Sequence, residues 1–300
     1  MECSENSKTE SSAISYLAKQ LDEAYDFMME AVRRPVAECG EALVSLEKAV
    51  ADAGVDVEFS RKPHALGLPR LFFLREGQIN GFLQATAEMN RRGWAMRIED
   101  GYRSRKMQKF IGLDPSVFDV ILRVVIRELG GRTPSPEHMF KRALTLVAQI
   151  PKTGTHMSGS ALDISVIDRN TGLDVDRGAP YLEMSELTPM DSPFISTAAR
   201  KNRQEITAIM RDAGFVEYPY EFWHYSSGDV YEDILYDRPG PARYGAVDRV
   251  PDSGIIQAIP NPELPLNDMD EIKNEIEAAL RRISSAESSP APAQSALKRR

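Results

Sequence analysis

Two short stretches of strict alternation set the limits on what this chain folds into. In "WAMRIED", Trp94, Met96 and Ile98 alternate with Arg97 and Glu99, and in "LDISV", Leu162, Ile164 and Val166 alternate with Asp163 and Ser165. A period of two places successive side chains on opposite faces of a sheet, so each stretch predicts a half-buried strand, with Asp163 facing away from the apolar side. The surroundings are helical in spacing. Residues 76–92 carry Ile79, Phe82, Leu83 and Met89 on one stripe, and Gly93 is placed to stop that helix. Asp114-Pro115 and Ser135-Pro136 each put a capping residue ahead of a proline at the first helical position. A helix over 198–213, ended by Gly214, leads into strand-like "FVEY" and "WHYSS". Helices and strands mix without a βαβ rhythm, and there is no G-x-G-x-x-G or P-loop pattern. The expected class is therefore α+β.

The flanks read as additions to a central domain at 61–248. Residues 10–53 predict two helices broken at Pro35, with Ile14, Leu17, Leu21, Tyr25, Met28 and Val32 on one stripe and Val36, Cys39, Leu43, Leu46 and Val50 on the next. Together they describe an N-terminal helical hairpin at 1–60. A cap on the core is its simpler role, and a homo-oligomer surface is the alternative. Residues 249–300 predict a C-terminal extension: a short amphipathic helix opened by Asn267, with Ile272, Ile276, Leu280 and Ile283, then a disordered Ser-, Pro- and Ala-rich tail.

A formal net charge of −8 and a pI near 5.2 argue against nucleic acid or an anionic membrane as partner, since both select basic surfaces. The first residues, "MECSENSKTESS", lack a basic segment followed by an apolar one, and no apolar run is of membrane-spanning length. The expectation is a cytoplasmic protein, with a periplasmic location by another export route as the alternative. Cys3 and Cys39 do not amount to a disulfide framework.

The chain has four histidines, His64, His138, His156 and His224. His156 precedes Asp163 by seven positions, and His224 follows Glu221 by three in "EFWH". A mononuclear catalytic zinc takes three nitrogen or oxygen ligands and keeps one position open, and His156, Asp163 and His224 supply such a set. Glu221 is then left as the base that takes a proton from water. His64 and His138 have no ligand-spaced company and are expected to face solvent.

"H-x-x-G-x-A-x-D" together with "E-x-W-H" resembles the zinc D-Ala-D-Ala metallopeptidases, with the strongest likeness to the D-alanyl-D-alanine dipeptidases of vancomycin resistance. The likeness runs from about Leu74 to Asp229. Within it, "EDGYRS" is similar to the family's "D-G/A-Y-R-P", "RGAPYLEMSE" to its "M-G-T-P-F-D-E-M" loop, and "KNRQEITAIMRDAGF" to its "N-R-x-x-L…M-x-x-A-G-F" stretch. The resemblance implies a central, mainly antiparallel sheet flanked by helices. It also implies one zinc ion (Zn2+) per chain on His156, Asp163 and His224, with Glu221 as general base and acid and Arg103 as a cation at the scissile group.

The substrate implied is a small D-amino-acid peptide, with Thr155, Glu183 and Tyr102 expected to contact it. Gly154 stands at a position where the dipeptidases carry serine, leaving Thr155 as the nearby hydroxyl. Leu182 stands where the loop carries aspartate, leaving Glu183 or Glu186 to meet an ammonium. Ser104 and Phe222 replace a proline and a tryptophan. The function implied is hydrolysis of D-Ala-D-Ala or a related dipeptide. The alternatives are a D,D- or L,D-carboxypeptidase or endopeptidase on peptidoglycan stem peptides, and a non-catalytic zinc-binding assembly protein, against which Glu221 and Arg103 argue.

Overall fold

The computed structural model describes residues 2–64, 67–250 and 255–288. From the amino end the chain forms α1 (Glu2–Arg33), β1 (Leu43–Ser45), α2 (Leu46–Ala53), β2 (Val57–Phe59), β3 (Phe73–Arg75), α3 (Ile79–Arg91) and β4 (Trp94–Asp100). Then follow α4 (Arg105–Ile111), α5 (Pro115–Glu128), α6 (Pro136–Val147), β5 (Ala161–Asp168) and β6 (Leu173–Asp174). The last third holds α7 (Thr197–Asp212), β7 (Val216–Tyr218), β8 (Glu221–Ser226), α8 (Val230–Leu235), β9 (Val247–Arg249), β10 (Ile256–Ala258) and α9 (Met269–Ser288).

Both alternating stretches lie at the centre of one sheet, ordered β2-β4-β5-β8-β7 with β6 on β5. Every pairing in it is antiparallel except β2 with β4. One face carries Met96, Ile98, Leu162, Ile164 and Val166 into a core shared with Phe82 and Met89 of α3 and Ile206, Ile209 and Met210 of α7. Each such buried side chain is worth about 1.5–3 kcal/mol. This face is the one the alternation predicts, and Asp163 points from the other.

Two register shifts shape that other face. One lies between Ile98 and Asp100, so that Asp100 pairs directly with Asp163 across β4 and β5. The second, between Glu217 and Tyr218, bends β8 against β7. Bulges of this kind re-aim side chains, and both sit at the end of the sheet where the polar residues gather.

Residues of α1, α4, α5, α6 and α8 line a cavity on the polar face. Proline at the first position and an N-cap side chain start α5 at Asp114 and α6 at Ser135, as the spacing predicts. These two helices and α9 share Phe118, Ile121, Leu122, Val125, Met139, Ala143, Ile272, Ile276 and Ala279 as a second core. In α1, Ala13, Leu17, Leu21, Ala24, Met28 and Ala31 are buried. That stripe lies on α5, α6 and α8 of the same chain.

The flanks differ from expectation. No helical hairpin forms: after α1 the chain crosses into an irregular segment and β1, which pairs with β3, and α2 packs on α3. The physical reason is Arg75, fully buried, whose guanidinium takes Glu38 at 2.9 and 2.8 Å and the Glu41 carbonyl at 2.7 Å, holding 36–42 extended. Neither domain boundary divides separate units. β2, just before residue 60, is a strand of the main sheet, and the cut at 248/249 passes through β9. The C-terminal helix spans 20 residues and is part of the second core. Of the stretch expected to be disordered, 284–300, residues 284–288 continue α9 and 289–300 lie outside the described residues. Among the described residues no helix is long and apolar enough to cross a membrane.

Candidate metal centre and peptidase site

His156 lies in a tight turn between a 3-10 turn at Pro151–Thr153 and β5. Gly159 closes that turn at φ +68, where a Cβ would also run into Leu43. Asp163 on β5 and His224 on β8 are direct cross-strand partners. His156 Nε2 lies 3.2 Å and His224 Nδ1 3.1 Å from the same atom, Asp163 Oδ1. The three ligand atoms lie within 4.8 Å of one another, and all three residues are buried.

The far nitrogen of each ring is already engaged. His156 Nδ1 donates to the Gly101 carbonyl at 2.6 Å, and His224 Nε2 meets Thr155 Oγ1 at 2.8 Å. Such outer partners orient metal-ligating imidazoles and leave the inner nitrogen's lone pair toward the ion. Burial pushes the His224 imidazole below its ordinary range, favouring the neutral form that ligates. Burial alone would raise the Asp163 carboxyl, but His156 and His224 hold it well below the usual range. Tetrahedral ligands about 2.0–2.2 Å from zinc sit about 3.3 Å apart, so the donor set fits such an ion.

Asp163 Oδ2 faces the other way, accepting from the Tyr181 hydroxyl at 2.9 Å and from Arg103 Nη2 at 3.3 Å. Arg103 follows the β4 bulge, and its Nε donates to Asp100 Oδ2 at 2.8 Å. Burial would lower the guanidinium's pKa, yet Asp100 and Asp163 raise it, so it stays charged. For Tyr181, burial and then the charge of Asp163 push the phenol well above its ordinary range. Glu221 lies outside the ligand trio on the same cavity wall, 9% exposed. Burial, then Asp163, push its carboxyl well above the usual range, with Arg103 opposing. The cavity these groups line holds about 360 Å3, within the size range of small-ligand sites.

The structure thus brings together His156, Asp163, His224, Glu221 and Arg103, and Thr155 joins them as the hydrogen-bond partner of His224. Two expected substrate contacts are elsewhere. Tyr102 is fully buried on the far side of Arg103, where its hydroxyl donates to the Val247 carbonyl at 3.0 Å and accepts from the Arg249 amide at 2.9 Å. Glu183 is absent from the cavity wall, although its neighbours Tyr181, Leu182 and Met184 line it. His64 is buried rather than solvent-facing, with Nε2 3.2 Å from Asp100 Oδ2, and Arg70 reaches the same oxygen at 3.2 Å. His138 stays partly exposed beside Glu128.

Trp223, buried, also lines the cavity and meets the Tyr181 ring edge-on at 5.6 Å. Sequence reasoning missed Tyr181. The available signal was one hydroxyl, since Tyr181 stands opposite the phenylalanine of the family's "M-G-T-P-F-D-E-M" loop.

Comparison with known proteins agrees with this geometry. A family model described as D-ala-D-ala dipeptidase (Peptidase_M15) matches residues 132–241. The chain is 27% identical over 251 residues to a D-alanyl-D-alanine dipeptidase of Synechocystis sp., covering 71% of this chain and 95% of that one. It is 25% identical over 173 residues to a D-alanyl-D-alanine dipeptidase of Enterococcus faecalis, covering 57% and 73%. Likeness to solved structures is weaker: the LdcB LD-carboxypeptidase superposes with a TM-score of 0.35 at 19% identity, over 67% of this chain and 75% of its own. The matched span contains His156, Asp163, Glu221 and His224 in order, so the chain is similar to the D-alanyl-D-alanine dipeptidases across the residues that form this site.

Proposed function

We propose that the protein is a zinc dipeptidase that hydrolyses D-Ala-D-Ala or a closely related D-amino-acid dipeptide. The observation that carries the reading is the convergence of His156 Nε2, His224 Nδ1 and Asp163 Oδ1, with Glu221 on the same wall but outside that set. Zinc, when bound, supplies Lewis acidity toward the peptide carbonyl and acidifies water. Glu221 takes the proton of the attacking water and returns it to the leaving amine, and burial, then the charge of Asp163, raise its pKa above the usual carboxylate range. Arg103, oriented by Asp100, stabilises the developing oxyanion through charge-assisted hydrogen bonds. Trp223 and Tyr181 narrow the cavity and keep water from the proton transfer. Purified protein with one equivalent of zinc is expected to release D-alanine from D-Ala-D-Ala. Inertness toward every D,D-dipeptide tried would refute the reading.

A second substrate reading has its own support. The carboxylates on the cavity wall are Asp100, Asp114, Asp163 and Glu221, and all four are engaged, respectively with Arg103, the start of α5, the metal set and proton transfer. Leu182, exposed at the rim, stands where the family loop carries an ammonium partner. This favours a blocked amino terminus, as at the terminal D-Ala-D-Ala bond of a stem peptide. Comparing free D-Ala-D-Ala with an N-acylated tripeptide ending in D-Ala-D-Ala separates the two readings, and faster cleavage of the acylated peptide selects the second.

A further inference from the structure

We propose that the Tyr181 hydroxyl is a positioning group for the metal centre: by donating to Asp163 Oδ2 it turns Oδ1 alone toward His156 and His224. The inference rests on the metal set proposed above. The two oxygens of Asp163 have separate partners. Oδ1 lies 3.2 and 3.1 Å from the two inward nitrogens, whereas Oδ2 receives Tyr181 at 2.9 Å and Arg103 at 3.3 Å. The terminal torsion of an aspartate is broad, so an unrestrained carboxylate would rotate and offer either oxygen, or both. Two donors on one oxygen select a single orientation. Of the two, Arg103 is shared with Asp100 and makes the longer contact, which leaves Tyr181 as the donor dedicated to Asp163.

The hydroxyl arrives on a segment clamped to the strands that carry the ligands. Arg177, buried, donates to the carbonyls of Ile164 on β5 at 2.8 Å and Phe222 on β8 at 3.3 Å. Arg203, also buried, donates to the carbonyls of Arg177 at 2.7 Å, Pro189 at 2.7 Å and Leu187 at 2.8 Å. Residues 177–189 are thereby tied at both ends, and the Tyr181 ring rests against Trp223 between them. A donor held this way acts on the carboxylate without itself needing to be ordered by the ion.

Tyr181→Phe tests the inference, because it keeps the ring and its packing on Trp223 and removes only the hydroxyl. Zinc alone, titrated in competition with a chelator and without substrate, is expected to bind this variant about 10–100-fold more weakly than the parent. Parent-like affinity overturns the inference. His224→Ala, measured alongside, keeps the outcomes apart: if it too binds zinc as the parent does, the metal set fails, whereas loss there with no change in Tyr181→Phe removes only the role of Tyr181.

Discussion

Arg103 Nε and Asp100 Oδ2 face each other at 2.8 Å at the end of β4, and that contact aims a cation at the Asp163 side of the cavity. His64 and Arg70 close on the same Asp100 oxygen, and the Gly101 amide takes the other. The fork geometry of arginine is needed to touch both aspartates, which a lysine ammonium cannot reproduce. Arg103→Lys is therefore expected to lower kcat by about 10²–10³-fold with a smaller change in KM. Steady-state kinetics on D-Ala-D-Ala decide it, and a kcat within a few-fold of the parent would remove Arg103 from the oxyanion.

The same carboxylate predicts an acid limb of stability. Burial would raise the Asp100 pKa, but Arg103, His64 and His156 hold it well below the ordinary aspartate value of 3.8. A group depressed in the folded state stabilises fully above its unfolded pKa and loses that contribution as pH falls through 3.8 toward the folded value. Asp100→Asn should flatten this loss, and at neutral pH it should cost about 3–5 kcal/mol by leaving buried cations without their partner. Denaturant unfolding of both proteins across the acid range is the measurement, and parallel curves would contradict it.

Separate behaviour of base and ligand is the signature of the proposed chemistry. Glu221→Gln is expected to lose about 10²–10⁴-fold in kcat while retaining its zinc. His224→Ala should lose metal and activity together. Metal content after dialysis, read beside D-alanine release, checks both, and a Glu221 variant that sheds zinc would place this residue among the ligands.

Thr155 divides substrate contact from metal support. As the partner of His224 Nε2 it should matter for the metal, so Thr155→Val is expected to weaken zinc binding by about 10–100-fold and leave the KM of the zinc-saturated enzyme near the parent value. A raised KM with unaltered zinc affinity would restore the residue to the substrate side.

Ile276 tests whether the C-terminal helix is integral to the fold. It is 4% exposed and packs in the α5–α6 core. Ile276→Ala should cost about 2–5 kcal/mol in chemical denaturation of the full chain. Loss below about 0.5 kcal/mol would mean that α9 only rests on the surface.

Legibility in the sequence followed the range of the interactions. Asp163 was readable because alternation in "LDISV" depends on neighbours two residues away, and the family-like intervals around His156, Glu221 and His224 pointed to the side chains that line the same cavity. Tyr102 and Arg103 are adjacent in sequence, yet the bulge after Ile98 sends one into a buried cluster and the other into the cavity, a difference no residue count along β4 exposes. Glu183 and Tyr181 share a loop whose aim is set by Arg177 and Arg203, the second of them many residues downstream. His64 looked like surface because its near neighbours are loop residues, while its burial comes from Asp100. Pro35 was correctly a break, but the segment after it answers to Arg75 rather than to its own apolar spacing.

Arg75 also orders events in the life of the chain. Its guanidinium donates to Glu38 near the start, to the Ser158 carbonyl in the turn just after His156, and to the Gly245 carbonyl at 3.2 Å. A ribosome delivers these partners one after another, Glu38 before the guanidinium and the Ser158 and Gly245 carbonyls after it. Glu38 neutralises the guanidinium from the moment it is made, and the two later carbonyls complete a clamp beneath the turn that carries His156.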